Sequence, residues 1–193
     1  MQTLARSAGS GSVLINSVAL AGICAILIVA FVWQFVFGEL PCPLCLLQRV
    51  AFIMAGVGLL LNVRFGPSPL HYSAVMLAAL GGMAASGRQV LLHAAPGDPG
   101  YGSPLLGLHF YTWAFIAFVG LLGYCAAMLA VDRKWGDNAI PRPASLFGGL
   151  VMWLFLLVTL ANVVMVVLEC GFGACPDNPV SYLWWQALAG APG

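Results

Sequence analysis

Cys42, Pro43, Leu44 and Cys45 form a Cys-x-x-Cys step immediately before a long apolar run, and Arg49 follows Cys45 by four residues. A second pair, Cys170 and Cys175, follows the last apolar run. Closely spaced thiols close and reopen a disulfide, and the thiolate is the attacking form. Two dithiol pairs in a chain that is otherwise apolar point to electron passage between thiols and an acceptor dissolved in lipid.

Pro43 suits the first position of a helix, where its missing N–H has no partner to lose. That places Cys42 at the N-cap of the helix and Cys45 in its first turn. The positive end of the helix dipole favours a thiolate there. Arg49, one turn beyond Cys45, shares its helix face and keeps its charge under all conditions. It suits a thiolate or an oxyanion developing on an acceptor. A purely structural bridge is the alternative, but so small a ring restrains little of the unfolded chain. A metal site needs about four ligands, and the nearby histidines, His93 and His109, are single, so no metal is expected. For Cys170 and Cys175 a bridge that only stiffens a Gly-rich turn before Pro176 stands beside a relay role. Glycines on both sides of Phe172 give that loop freedom to move. Cys24 and Cys125 fall mid-run and read as small buried hydrophobes.

The elements that must hold these groups are membrane spans. The 193-residue chain is 62% hydrophobic and 7% charged, against about 25% charged in soluble domains. Runs of about 20 apolar residues cross a bilayer. Five such runs occur, near 13–37, 46–63, 72–93, 110–131 and 146–168, with a tail at 169–193. The chain therefore reads as one all-α integral membrane domain over 1–193. The first run, preceded by Arg6, is too long for a signal peptide and has no convincing cleavage site, so it is expected to be retained. A net charge of +1 gives no reason to expect a nucleic-acid partner.

Charge placement predicts orientation. Arg6, Arg64, Arg133, Lys134 and Arg142 fall on one side of the spans, whereas segments 38–43, 94–109 and 169–193 contain no Lys or Arg. Positive loops stay in the cytoplasm, so the N-terminus is expected inside and the C-terminus outside, with all four cysteines of the two pairs on the outer face. In a bacterium that face is the oxidising periplasm. Tyr182, Leu183, Trp184 and Trp185 suit the outer headgroup level, and Trp33, Trp113, Trp135 and Trp153 read as interface anchors or bundle packing. Gly81-Gly82 and Gly148-Gly149 read as points of close helix approach.

The run Pro41-Cys42-Pro43-Leu44-Cys45-Leu46-Leu47-Gln48-Arg49 resembles the DsbB family of bacterial inner-membrane disulfide-forming proteins. Gly87-Arg88-Gln89, Leu106-Gly107-Leu108-His109 and Trp113 add to the likeness, which covers roughly 13–131. The resemblance implies a four-helix transmembrane bundle, here with a fifth helix. It implies that a quinone, ubiquinone or menaquinone, oxidises the Cys-x-x-Cys, which oxidises a second cysteine pair. That pair then reoxidises a periplasmic thioredoxin-fold partner of the DsbA type. On this resemblance Cys45 faces the quinone, Cys42 exchanges with the second pair and Arg49 contacts the quinone. Location in the inner membrane, within reach of lipid and the quinone pool, follows from the same likeness.

The second pair is where the chain departs from the family. The family carries it between helices three and four, but segment 94–109 has no cysteine. Cys170 and Cys175 are the candidates to replace it. Arg88, in the outer half of the third span, is expected either to snorkel or to line the quinone pocket. His93 is a candidate hydrogen-bond or proton donor to a quinone oxygen. Gln34, Glu39, Asn162 and Glu169 receive no role. Two other readings remain. One is a quinone or vitamin-K-epoxide-type reductase using the same Cys-x-x-Cys; the other is a non-enzymatic scaffold braced by its disulfides.

Overall fold

In the computed structural model the chain is described over residues 2–135, 145–171, 173–177 and 179–189, with side chains described from residue 11 to 131, from 145 to 171 and through most of the tail. Arg142 and Phe172 fall outside the described residues, as do the side chains of Arg6, Arg133, Lys134 and Trp135.

Among the described residues six helices follow in order: α1 (Gln2–Val36), α2 (Pro43–Phe65), α3 (Pro69–Leu92), α4 (Phe110–Trp135), α5 (Leu146–Cys170) and α6 (Leu183–Ala189). Five are long and apolar enough to cross a membrane. The protein is an all-α, multi-pass membrane protein, and the five expected spans match α1 to α5 to within a few residues, the N-terminal extension of α1 apart. α2 and α5 run past the ends of their apolar windows, while α1 and α3 stop one residue short of theirs. Cys170 thus closes the last turn of α5 rather than following it, and α6 is an addition to the expected set.

The ends of the helices follow from local chemistry. Cys42 caps α2 in extended geometry, its sulfur accepting the N–H of Cys45, with Pro43 opening the helix. Pro69 opens α3, and the Ser145 hydroxyl accepts the N–H of Gly148 at the head of α5. Gly171 ends α5 with φ of 66°, a left-handed step that glycine takes without a Cβ penalty.

α2 packs on α3, α3 on α4 and α1 on α2, which closes a four-helix bundle. α5 lies against α1 and α2 outside it. Glycines make the approaches close, Gly58 of α2 against Val75 and the His71 carbonyl of α3 among them. A Cβ on Gly82 would run into the Phe118 ring of α4, and one on Gly56 into the Phe155 ring of α5. A Cβ on Gly148 would press on Val63 and Ser17, whereas Gly81 and Gly149 face open space, so one glycine of each expected pair does the packing.

Polar side chains also tie the helices together. Asn16 of α1 donates to the Tyr72 hydroxyl at 2.8 Å and accepts from Asn62 and from the Tyr124 hydroxyl at 3.0 Å each. Asn16 and Asn62 are fully buried, and this network joins α1, α2, α3 and α4 at the end away from Cys42.

Candidate active site

α5 runs antiparallel to α2. Gly148 meets Val63 at one end and Phe155 meets Gly56 midway. At 1.5 Å per residue, Cys42 lies about 21 Å along α2 from Gly56, and Cys170 about 22 Å along α5 from Phe155. The two cysteine pairs therefore end at one height at the same end of the bundle. Cys170 and Cys175 are joined in a disulfide, while Cys42 and Cys45 are free thiols.

Cys42 and Cys170 are buried and Cys45 is half-buried. The Gln89 amide nitrogen lies 3.3 Å from the Cys42 sulfur and 3.5 Å from that of Cys45. The Gln89 carbonyl oxygen accepts from Gln48 at 2.8 Å, which fixes the orientation of the amide. The Cys42 thiol is drawn down from 9.0 to about 7, first by hydrogen bonding with the Cys45 side chain. Burial opposes this, while the backbone N–H of Cys45 and the Gln89 amide assist it.

Cys45, Gln48 and Arg49 of α2 face a cavity of about 450 Å³, walled mainly by apolar side chains of α1 and α4. The Arg49 guanidinium donates to the Gln34 carbonyl oxygen at 2.8 Å and to the Ala30 carbonyl at 3.1 Å, and it lies over the Phe31 ring. Gln34 in turn donates to the Tyr182 hydroxyl at 3.0 Å. Gln34 thus links the charge at the cavity to the tail that follows the second cysteine pair. Trp33 also faces the cavity, and its buried indole N–H has no hydrogen-bond partner among the described residues.

Segment 94–109 covers this end of the bundle. Glu39 accepts from the Ser103 N–H at 3.0 Å and from the Ser103 hydroxyl, and Tyr101 donates to the Leu40 carbonyl at 2.6 Å. Leu106 and Gly107, both at positive φ, make a two-residue turn closed by paired hydrogen bonds between Leu105 and Leu108. Burial pushes the Tyr101 phenol above its ordinary range, and the negative charges of Cys42, Cys45, Glu169 and Glu39 push it further. Glu169 therefore belongs to the same charged neighbourhood as the two thiols.

The expected site residues divide into two groups. Cys45 and Arg49 share the cavity wall, with Cys42 adjoining through Gln89. Arg88 and His93 are absent from that wall. Arg88 is exposed, because the inward positions of α3 run 72, 75, 79, 82, 86 and 89. His93 is the C-cap of α3 and pairs with Asp98 at 3.0 Å; it meets the cavity only through its stack on Tyr111. Trp33 and Trp113 line the cavity, while Trp153 is exposed as an anchor would be. Sequence reasoning passed over Gln34, Gln89 and Glu169. Gln89 carried a signal in the alternating three- and four-residue spacing of α3. The placing of Gln34 and Glu169 depends on tertiary packing.

Residues 13–103 match the family model described as Disulfide bond formation protein DsbB. A disulfide bond formation protein B of Marinobacter nauticus is 35% identical over 146 residues, covering 72% of this chain and 86% of that protein. One from Chromobacterium violaceum is 33% identical over 134 residues, covering 65% and 80%. A third, the disulfide bond formation protein B 1 of Pseudomonas savastanoi pv. phaseolicola, is 45% identical over 73 residues, covering 36% of this chain and 43% of that protein. No solved structure matches the chain.

Proposed function

Because the chain belongs to the DsbB family of disulfide bond formation proteins, we propose that it is a quinone-linked thiol oxidase. It sits in a bacterial inner membrane with its N-terminus inside, and it reoxidises a periplasmic thioredoxin-fold partner of the DsbA type. The observation that carries this reading is the shared wall: the Cys45 thiol and the Arg49 guanidinium face one mainly apolar cavity at the head of α2.

The residues present fit a quinone. About 450 Å³ lies within the usual range of small-molecule sites, roughly 300–1,000 Å³. Trp33 lines the cavity, and its buried N–H has no partner among the described residues, which leaves a donor unspent beside it. Arg49 spends two of its N–H groups on Gln34 and Ala30, and a guanidinium has five. A bound quinone supplies an acceptor for two electrons and two protons. The chain does the rest. Gln89 and the Cys45 N–H support a thiolate on Cys42. Arg49 favours negative charge next to Cys45, and closure of the Cys42–Cys45 bond releases the electron pair toward the cavity. The apolar wall excludes water, which strengthens every charge interaction inside.

On this proposal Cys170–Cys175 takes the place of the family's loop-borne pair. It accepts electrons from the partner's dithiol and passes them to Cys42–Cys45. Purified protein in lipid, supplied with reduced partner, should bleach ubiquinone or menaquinone at the rate of partner oxidation. C45S should abolish this. A scaffold braced by disulfides would reduce no quinone, and that result would sink the reading.

A further inference from the structure

Among the described residues, the one buried carboxyl group at this end of the bundle has no task in the electron path. Glu169 occupies the last turn of α5, directly before Cys170, and is 1% exposed. Neither of its carboxylate oxygens has a hydrogen-bond partner among the described residues. Buried polar groups are nearly always paired, and one that is not calls for a reason, a role in proton or redox chemistry among them. α5 brings Glu169 to the height of Cys42, within electrostatic reach of Cys42, Arg49 and Tyr101.

We propose that Glu169 carries the proton exchanged between the two cysteine pairs. The inference rests on the relay reading given above. In the internal exchange the reduced second pair attacks the Cys42–Cys45 disulfide. Glu169, as carboxylate, takes the proton of the Cys170 thiol. The Cys170 thiolate attacks the Cys42 sulfur, the Cys42–Cys45 bond breaks, and Cys45 leaves as a thiolate beside Arg49. Cys175 then attacks Cys170, losing its proton to water, which its half-exposed position allows. The Cys170–Cys175 bond forms, the Cys42 thiolate departs, and the proton held by Glu169 returns to the Cys42–Cys45 pair. Two electrons have passed from the second pair to the first. One proton rests on the first pair, one is in water, and Glu169 is again a carboxylate. The structure, with Cys170–Cys175 bonded and Cys42 and Cys45 free, has the connectivity at the end of this exchange.

Solvent cannot readily substitute for Glu169, because Cys42 and Cys170 are 6% and 7% exposed. The charged or titratable groups around the carboxyl are Arg49 and Cys42 at the head of α2 and Tyr101 in segment 94–109, with Tyr182, ahead of α6, reaching Arg49. α1 contributes no charged side chain along its described apolar length.

The test follows the internal step in full-length protein in lipid. Cys42–Cys45 is first oxidised with quinone, and excess quinone is removed. Reduced DsbA-type partner is then added for a single turnover. Acid quenching, alkylation and peptide mass spectrometry read the state of each pair with time. E169Q keeps the shape and removes the proton-carrying group. It should slow the transfer from the second pair to the first by about 100-fold or more and flatten its pH profile, while E169D restores part of the rate. The wild-type step should also slow in deuterated water. A wild-type rate and pH profile in E169Q, or no solvent isotope effect in the wild type, overturns the assignment. C170S/C175S is run in parallel. Partner oxidation at the wild-type rate there overturns the relay itself, and Glu169 with it. Arrest there with normal exchange in E169Q removes Glu169 alone.

Discussion

Replacing Gln89 with leucine removes the side-chain amide donor that bridges the two thiols. Gln89 is 1% exposed, so water does not take its place. A hydrogen bond to a charged group is worth about 1.5–3 kcal/mol, and a donor shared between two sulfurs at 3.3 and 3.5 Å belongs at the low end. At 1.36 kcal/mol per unit, the Cys42 thiol should rise by about one unit from its value of about 7. At pH 7 the thiolate fraction then falls from about one half to about one tenth, so alkylation slows about fivefold. The measurement is the pH dependence of Cys42 alkylation in the reduced protein, read on the Cys42 peptide by mass spectrometry. The sign extends to stability. The folded value lies below the ordinary 9.0, so between about pH 7 and 9 the unfolded chain binds more protons and the reduced protein gains stability as pH rises. That gain is lost as pH falls through about 7, and Q89L should narrow the window from its lower edge. The variant also strands the Gln48 amide, at a cost of about 1–3 kcal/mol. That loss appears in thermal unfolding and is separable from the titration. A folded Q89L whose alkylation midpoint stays at the wild-type value would refute the bridging role.

R49A should raise the apparent KM for quinone while leaving Cys42–Cys45 able to close; unchanged quinone kinetics would reduce Arg49 to a snorkelling anchor. G82A should destabilise the α3–α4 contact by about 1–3 kcal/mol, because its Cβ meets the Phe118 ring, whereas G81A, facing open space, should be neutral or better in the same detergent melt. In C45S the Cys42 thiol should be trapped in a mixed disulfide with Cys170 or Cys175, visible on a non-reducing gel; its absence in the presence of partner argues against exchange between the pairs. Reporter fusions after Pro67 and after Gly193 should report opposite sides of the membrane, and same-side results would break the five-span orientation.

The spans were legible because lipid demands long apolar helices and little else in a chain produces them. The cap was legible too, since Cys42 before Pro43 has one good helical register. Arg49 follows from that register. What escaped was facing. Arg88 carries the charge that draws notice, yet Gln89 beside it turns inward on a spacing visible in the residues of α3. The Gln34–Arg49 and Gln34–Tyr182 contacts join positions 15 and 148 residues apart, so no local pattern announces them. Glu169, at a helix end, received no role from the sequence. Its burial results from α5 docking on α1 and α2 and from the tail of Tyr182 and Trp184 folding back over that end; Trp184 is the neighbour that a Cβ on Gly171 would meet.

The magnitudes decide which part of the site drives the chemistry. A DsbA-type partner lies near about −120 mV and a stable structural disulfide below about −300 mV, a gap of about 180 mV. Stabilising the Cys42 thiolate favours the reduced pair and so makes its disulfide more oxidising. Lowering one thiol by about two units stabilises the reduced form by at most about 2.7 kcal/mol, reached only above pH 9. That is about 60 mV for two electrons. At pH 7, where the thiol is half ionised, the gain shrinks to about 0.4 kcal/mol, or about 9 mV. The hydrogen bond with the Cys45 side chain, the helix N-cap and the Gln89 amide therefore favour reaction at Cys42, but they leave most of the potential gap open. On the proposed reading the remaining drive comes from an acceptor beside Cys45 that withdraws the electron pair each turnover. The acceptor also has to be dischargeable into the membrane. A mainly apolar cavity bordered by α1 and α4 and carrying one fixed guanidinium suits both demands better than a thiol pair of any pKa.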